Sequence, residues 1–132
     1  MIITLRTNYE ELARSAHAVE EILLEHTCVT DCAVFGVKDK LKGEVPIGLV
    51  VVTEEKEGLI GELVARVRAK LGSHANFKKV AVVRALPKTR SGKVLRGTMK
   101  KIANGEDYTV TPTIEDATVL TDLTPLILKL VG

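Results

Sequence analysis

The sequence predicts an α+β domain: a small, mostly antiparallel β-sheet of about three main strands flanked by helices. Three observations carry this expectation. Apolar residues recur at helical spacing in four separate windows, and three β-branched apolar runs lie between them in the order α-β-β-α-β-turn-α. The third observation is size. A chain of 132 residues is one domain by length and can bury its own core. With Tyr9, Phe35, Phe77 and Tyr108 as its only aromatics, that core must be aliphatic.

The elements follow in order. "SAHAVEEILLEH", 15–26, sets Ala16, Val19, Leu23 and His26 on one helical stripe beside Ile22, with Ser15 as a cap. "VTDCAVFGV", 29–37, reads as a strand, "KDKLKGE" as a turn, and "VPIGLVVVT", 45–53, as a second strand antiparallel to the first. Pro46 stands near that strand's start, where a missing N–H matters least. "GLIGELVARVRAKLG", 58–72, is a helix closed by Gly72. "KVAVVRAL", 79–86, is a third strand, stopped by Pro87 and the turn "KTRSG". Helical spacing resumes over 93–105 at Val94/Leu95, Met99 and Ile102. "YTVTPTIEDAT" is an irregular arm, and "LTDLTPLILKLVG" a short terminal helix with Pro125 near its start.

Several function classes are set aside by composition. No apolar run approaches the roughly 18 residues that span a bilayer, so no membrane association is expected. The start "MIITLRTNYEEL" lacks the apolar run and cleavage site of a signal peptide, which points to an intracellular protein. Cys28 and Cys32 are spaced Cys-x3-Cys, unlike zinc or thioredoxin-type pairs. With His26 they make three potential ligands and no evident fourth, so they read as reduced, partly buried thiols, with no metal site.

Charge is uneven. From Lys78 to Lys101 there are nine basic residues and no acid, while the other ten Lys and Arg face all 17 Asp and Glu, leaving the rest at −7. Such asymmetry points to an anionic partner for the basic segment. Its centre, "LPKTRSGKVLRG", carries Lys88, Arg90, Lys93 and Arg96. If Lys93 opens a helix directly after Gly92, its ammonium and the helix N–H groups together suit a phosphate or carboxylate. A solvated basic loop is the plainer reading of the same pattern. It is not a Walker A loop, because Val94 follows the lysine and Pro87 stands where the first glycine belongs. Nucleic acid is not expected, since only Phe77 is near to stack a base.

"LPKTRSGKVLRGTMKKIANGE" resembles the C-terminal lysine motif of short-chain acyl-CoA synthetases in the adenylate-forming, AMP-binding superfamily. The likeness runs back through "HAVEEILLEHTCVTDCAVFGVKDKLKGEVPIGLVVV" and "VRAKLG", and forward to "PTIEDATVL", a tail similar to the propionyl-CoA synthetase branch. It covers residues 15–123 in order. The resemblance implies the fold of that superfamily's mobile C-terminal domain over 15–132. It implies Lys93 as the adenylation lysine, a target of control by acetylation. It implies Arg68 as a contact for a phosphate of coenzyme A, with Arg90 and Arg96 drawing in the anions and Gly92 letting them approach the backbone. Read without the resemblance, Arg68 is a solvated helix residue.

The expected activity is acid, ATP and coenzyme A giving acyl-CoA, AMP and pyrophosphate, with propionate or acetate as the acid. ATP, coenzyme A and magnesium belong to the complete enzyme; none is intrinsic to this domain. The expected partner is an N-terminal AMP-binding domain, in cis or in trans, without which the chain is inactive. The location would be cytoplasm, or mitochondrial matrix in a eukaryote. Residues 1–14 read as an altered hinge-like linker, with Glu11 and Ala13 where the family has Gly and Arg. That departure favours a separate or altered gene product. The alternative reading is a stand-alone, non-catalytic binding or regulatory module that keeps this fold.

Overall fold

Successive side chains of a strand point to opposite faces, so a strand that is apolar at nearly every position must be covered on both. The computed structural model, which describes residues 16–39, 43–72 and 77–131, has this arrangement. Its elements are α1 (16–24), β1 (Val29–Asp39), β2 (Gly43–Val52), α2 (Leu59–Leu71), β3 (Lys79–Val82), α3 (Arg96–Ala103) and α4 (Thr118–Val131). The expected hinge-like segment, 1–14, lies outside the described residues.

The sheet runs β1-β2-β3. The long pairing of β1 with β2 is antiparallel, with Val34 opposite Gly48 and Phe35 opposite Ile47. β3 joins β2 in parallel, a step that needs a crossover, and α2 supplies it. Alternation along the strands then divides the core in two. Ala33, Phe35, Val37, Ile47 and Leu49 pack with Met99 and Ile102 of α3 and Leu120, Leu123 and Ile127 of α4. Cys32, Val34, Val50 and Val80 pack on the other face with Val19 and Leu23 of α1 and Leu59, Leu63 and Val67 of α2. Gly48 is needed where Phe77 crosses the sheet: a Cβ there would come within 2.8 Å of the ring.

Three expectations are corrected. The third strand ends at Val82 rather than Leu86. Val83 still donates its amide to Val50 O at 2.9 Å, but Val83 and Leu86 then turn inward to fill the α3/α4 side of the core. The helix expected from Lys93 begins at Arg96, because Val94 is held extended in a bridge to Lys88. Pro125 stands inside α4 rather than near its start. The amide it lacks would have bonded the carbonyl of Thr121, which lies on the exposed side and can take water instead.

Candidate functional site

The segment between β3 and α3 is a closed turn. Its apolar ends, Leu86 and Pro87 before and Leu95 after, are pinned together by Leu95 N donating to Pro87 O at 2.9 Å. Inside that clasp Lys88 bridges Val94, Thr89 N donates to Lys93 O at 2.9 Å, and Lys93 N donates to Thr89 Oγ1 at 3.1 Å. Gly92 N donates to Thr89 O at 2.8 Å and Gly92 takes φ +93°, a conformation that strains any residue with a Cβ. The "irregular" arm fixes the turn from outside: Arg90 N donates to Thr113 O, and Glu115 N to Lys88 O.

Four cations sit on this turn, and the fold treats them in two ways. Lys88 Nζ lies 2.5 Å from Asp31 Oδ2. Arg96 grips Glu20 with two prongs, Nε to Oε2 at 2.8 Å and Nη2 to Oε1 at 2.6 Å. That grip raises the guanidinium's pKa further, and Glu20 itself is buried. Arg90 and Lys93, between them, are exposed, and among the described residues neither has a carboxylate within ion-pair reach. Arg96, expected to draw in anions, turns two of its nitrogens to Glu20 while its side chain stays exposed. Lys93 and Gly92 do not open a helix, so the helix N–H groups of α3 do not converge with the ammonium there.

Arg68 stands exposed on α2, which packs on the face of the sheet opposite to α3. The fold therefore brings Arg90, Gly92 and Lys93 together and leaves Arg68 on another surface. A cleft of about 470 Å³ opens beside Lys88, between Asp31, Arg84, Leu86, Glu115 and Val119. Its cations are outnumbered by acids, and Lys93 does not line it.

Cys28 and Cys32 are free and buried, as expected. His26 Nδ1 accepts from Cys28 N at 3.1 Å and Nε2 meets Glu62 at 3.2 Å, so the imidazole has hydrogen-bond partners on both nitrogens. Among the described residues no three His, Cys, Asp or Glu gather around one point.

Sequence reasoning missed Glu20, Asp31 and Thr89. Glu20 shares a helical stripe with Ala16 and Leu23, and Asp31 interrupts an apolar strand. A charge inside an apolar pattern was the signal for both.

The profile of the AMP-binding enzyme C-terminal domain matches residues 18–93, more than half of the chain, ending on the exposed lysine of the turn. The chain belongs to the AMP-binding enzyme C-terminal domain family. Within this family it is 50% identical over 113 residues to the mitochondrial acyl-CoA synthetase short-chain family member B of Dictyostelium discoideum, covering 83% of this chain and 16% of that protein. It is 47% identical over 109 residues to the mitochondrial short-chain family member 3 of Rattus norvegicus, with 80% and 16% covered. Among solved structures, an acyl-CoA synthetase of Brucella canis superposes with a TM-score of 0.61 at 35% identity, over 65% of this chain and 16% of that one. The chain thus spans about a sixth of the length of these relatives.

Proposed function

We propose that this domain serves an ATP-dependent acyl-CoA synthetase, supplying the cation that helps a short-chain acid, acetate or propionate, attack ATP. In the first half-reaction a carboxylate oxygen bonds the α-phosphorus and pyrophosphate leaves. In the second the thiol of coenzyme A, losing its proton, bonds the acyl carbon and AMP leaves.

The observation that carries this reading is the treatment of the four cations. Lys88 and Arg96 are spent on Asp31 and Glu20, while Lys93 is presented to solvent on a turn bonded on both sides. An ammonium set between carboxylate and α-phosphate brings two anions together and meets the charge that shifts as pyrophosphate departs. Arg90, beside it, adds attraction for the phosphates, and Gly92 lets them approach the backbone. Arg68, on the other surface, suits the second half-reaction, as a contact for a phosphate of coenzyme A once the domain has turned. ATP and acid would be held by an N-terminal AMP-binding domain, so the chain alone carries no turnover.

The test joins the full 132-residue chain to the N-terminal part of the Dictyostelium relative. Lys93→Ala should abolish pyrophosphate exchange while sparing thioester formation from preformed acyl-adenylate. Acetylation of Lys93 should do the same by removing the charge. Undiminished exchange in the alanine variant would end the reading. Incubated with ATP, magnesium, propionate and coenzyme A, the unfused chain should release AMP no faster than its Lys93→Ala variant.

A further inference from the structure

The turn that carries Lys93 is braced at both ends. It enters at Lys88, which Asp31 holds, and leaves at Arg96, which Glu20 holds. Both acids are themselves fixed on β1. Asp31 Oδ1 accepts from Cys32 N at 2.9 Å, and Glu20 Oε2 accepts from Val34 N at 2.7 Å. These two amides lie two residues apart and so point the same way, outward from the edge of the sheet. The Glu20 carboxylate therefore joins three elements: α1, which bears it, the outer edge of β1, and the first residue of α3.

Arg96 lies three residues beyond Lys93, with only Val94 and Leu95 between. Those two are held by the Lys88 bridge and by Pro87 O. A shift of the Arg96 backbone has little slack to absorb it before it reaches Lys93. The chemistry of the grip also matters. A two-pronged guanidinium–carboxylate pair fixes direction as well as distance, which a single point charge does not. Glu20 is the one buried charged side chain among the described residues, an expensive placement for a surface decoration.

We infer that Glu20 and Arg96 are positioning residues for Lys93: the buried carboxylate, through the guanidinium, sets where the adenylation lysine stands. Asp31 and Lys88 form the second, more exposed brace. This rests on the reading of Lys93 given above, and goes beyond it by assigning Arg96 a task inside the fold rather than on a ligand.

Two measurements test it. The first uses the 132-residue chain and amide hydrogen exchange in wild type, Glu20→Gln and Arg96→Lys. Each variant keeps a polar group but loses the paired grip. Exchange at Gly92, Lys93 and Leu95 should quicken about tenfold or more, with the amides of β2 unchanged. Unchanged rates at the turn, or equal acceleration in β2, would overturn the inference.

The second uses the fusion to the Dictyostelium N-terminal part. Both variants should slow pyrophosphate exchange by about ten- to a hundredfold, as expected when a reacting group is misplaced by about 1 Å, and leave thioester formation from preformed adenylate intact. Equal loss of both half-reactions would mean general damage and would overturn it. Lys93→Ala separates the two ideas. If it leaves exchange normal, the proposed function fails whatever the turn amides show. If it abolishes exchange while Glu20→Gln and Arg96→Lys are normal, the positioning role alone fails.

Discussion

Thr89 and Lys93 hold each other twice across the basic turn: Thr89 N donates to Lys93 O at 2.9 Å, and Lys93 N donates to Thr89 Oγ1 at 3.1 Å. Thr89 Oγ1 also meets Ser91 Oγ at 2.8 Å, so one hydroxyl organises the whole loop. Thr89→Val keeps the shape and removes the hydroxyl. It should cost about 1 kcal/mol in a denaturant titration and loosen the Lys93 amide in hydrogen exchange. Thr89→Ser should keep most of the protection. A valine variant with wild-type exchange at Lys93 would contradict this account.

Glu20→Ala should be the most damaging change of a charged residue on this side of the molecule. It strips the partner from the buried amide of Val34 and from two nitrogens of Arg96. A cost of about 1–3 kcal/mol is expected, read from the urea midpoint. A loss below a few tenths would mean that water replaces the carboxylate freely.

Lys93→Ala should leave the melting temperature nearly unchanged, with a stability change within about 0.5 kcal/mol. The side chain is exposed and, among the described residues, has no acid partner. A large drop would show that the ammonium supports the fold.

Burial pushes the Cys32 thiol up to about 12, with the charges of Glu20 and Asp31 adding to the effect. The thiolate is the reactive form, so Cys32 should resist iodoacetamide at pH 8 in the native chain and react after unfolding. Rapid native labelling of Cys32, read by peptide mass, would refute this.

Acid should destabilise the domain in part through Glu25 and Asp116. A hydrogen bond from Lys70 holds Glu25 below its ordinary pKa of 4.5, and bonds from the Thr118 hydroxyl and amide hold Asp116 below 3.8. Groups depressed in the folded state stabilise it above their unfolded pKa, and that contribution is lost as pH falls through the folded value. The melting temperature should therefore decline as pH drops from about 5, and the pair Glu25→Gln with Asp116→Asn should flatten the decline. An unaltered slope in the double variant would assign the acid sensitivity to other groups.

Much of the fold was legible because period and burial agree. The alternation of Ala33, Phe35 and Val37 against Cys32 and Val34 gives a strand covered on both faces, and Leu59, Leu63 and Val67 give a helix on one of them. The start of α3 was not legible. Val94 and Leu95 fit a helical stripe, yet neither is helical, because Val94 pairs with Lys88 across the turn and Leu95 N donates to Pro87 O. Pro125 was misplaced for a related reason: a proline with its orphaned carbonyl toward water costs a helix less than the rule suggests. In the candidate site, the cluster of Arg90, Gly92 and Lys93 came from local sequence. The capture of Arg96 by Glu20 did not, since 76 residues separate them and no local pattern encodes the pairing.

The side-chain bonds along β1 bear on how this molecule behaves in a crowd. Cys32, Val34 and Lys38 each spend their outward amide on a side chain, those of Asp31, Glu20 and Asn104. Bare amides on a sheet border invite a foreign strand to add itself. Here three amides along that border are taken up by side chains, and at the opposite border β3 is only four residues long. A small, aliphatic domain with two buried faces of sheet would otherwise be prone to stack into fibres. The acids that brace the turn also keep neighbouring copies of the chain from zipping onto it.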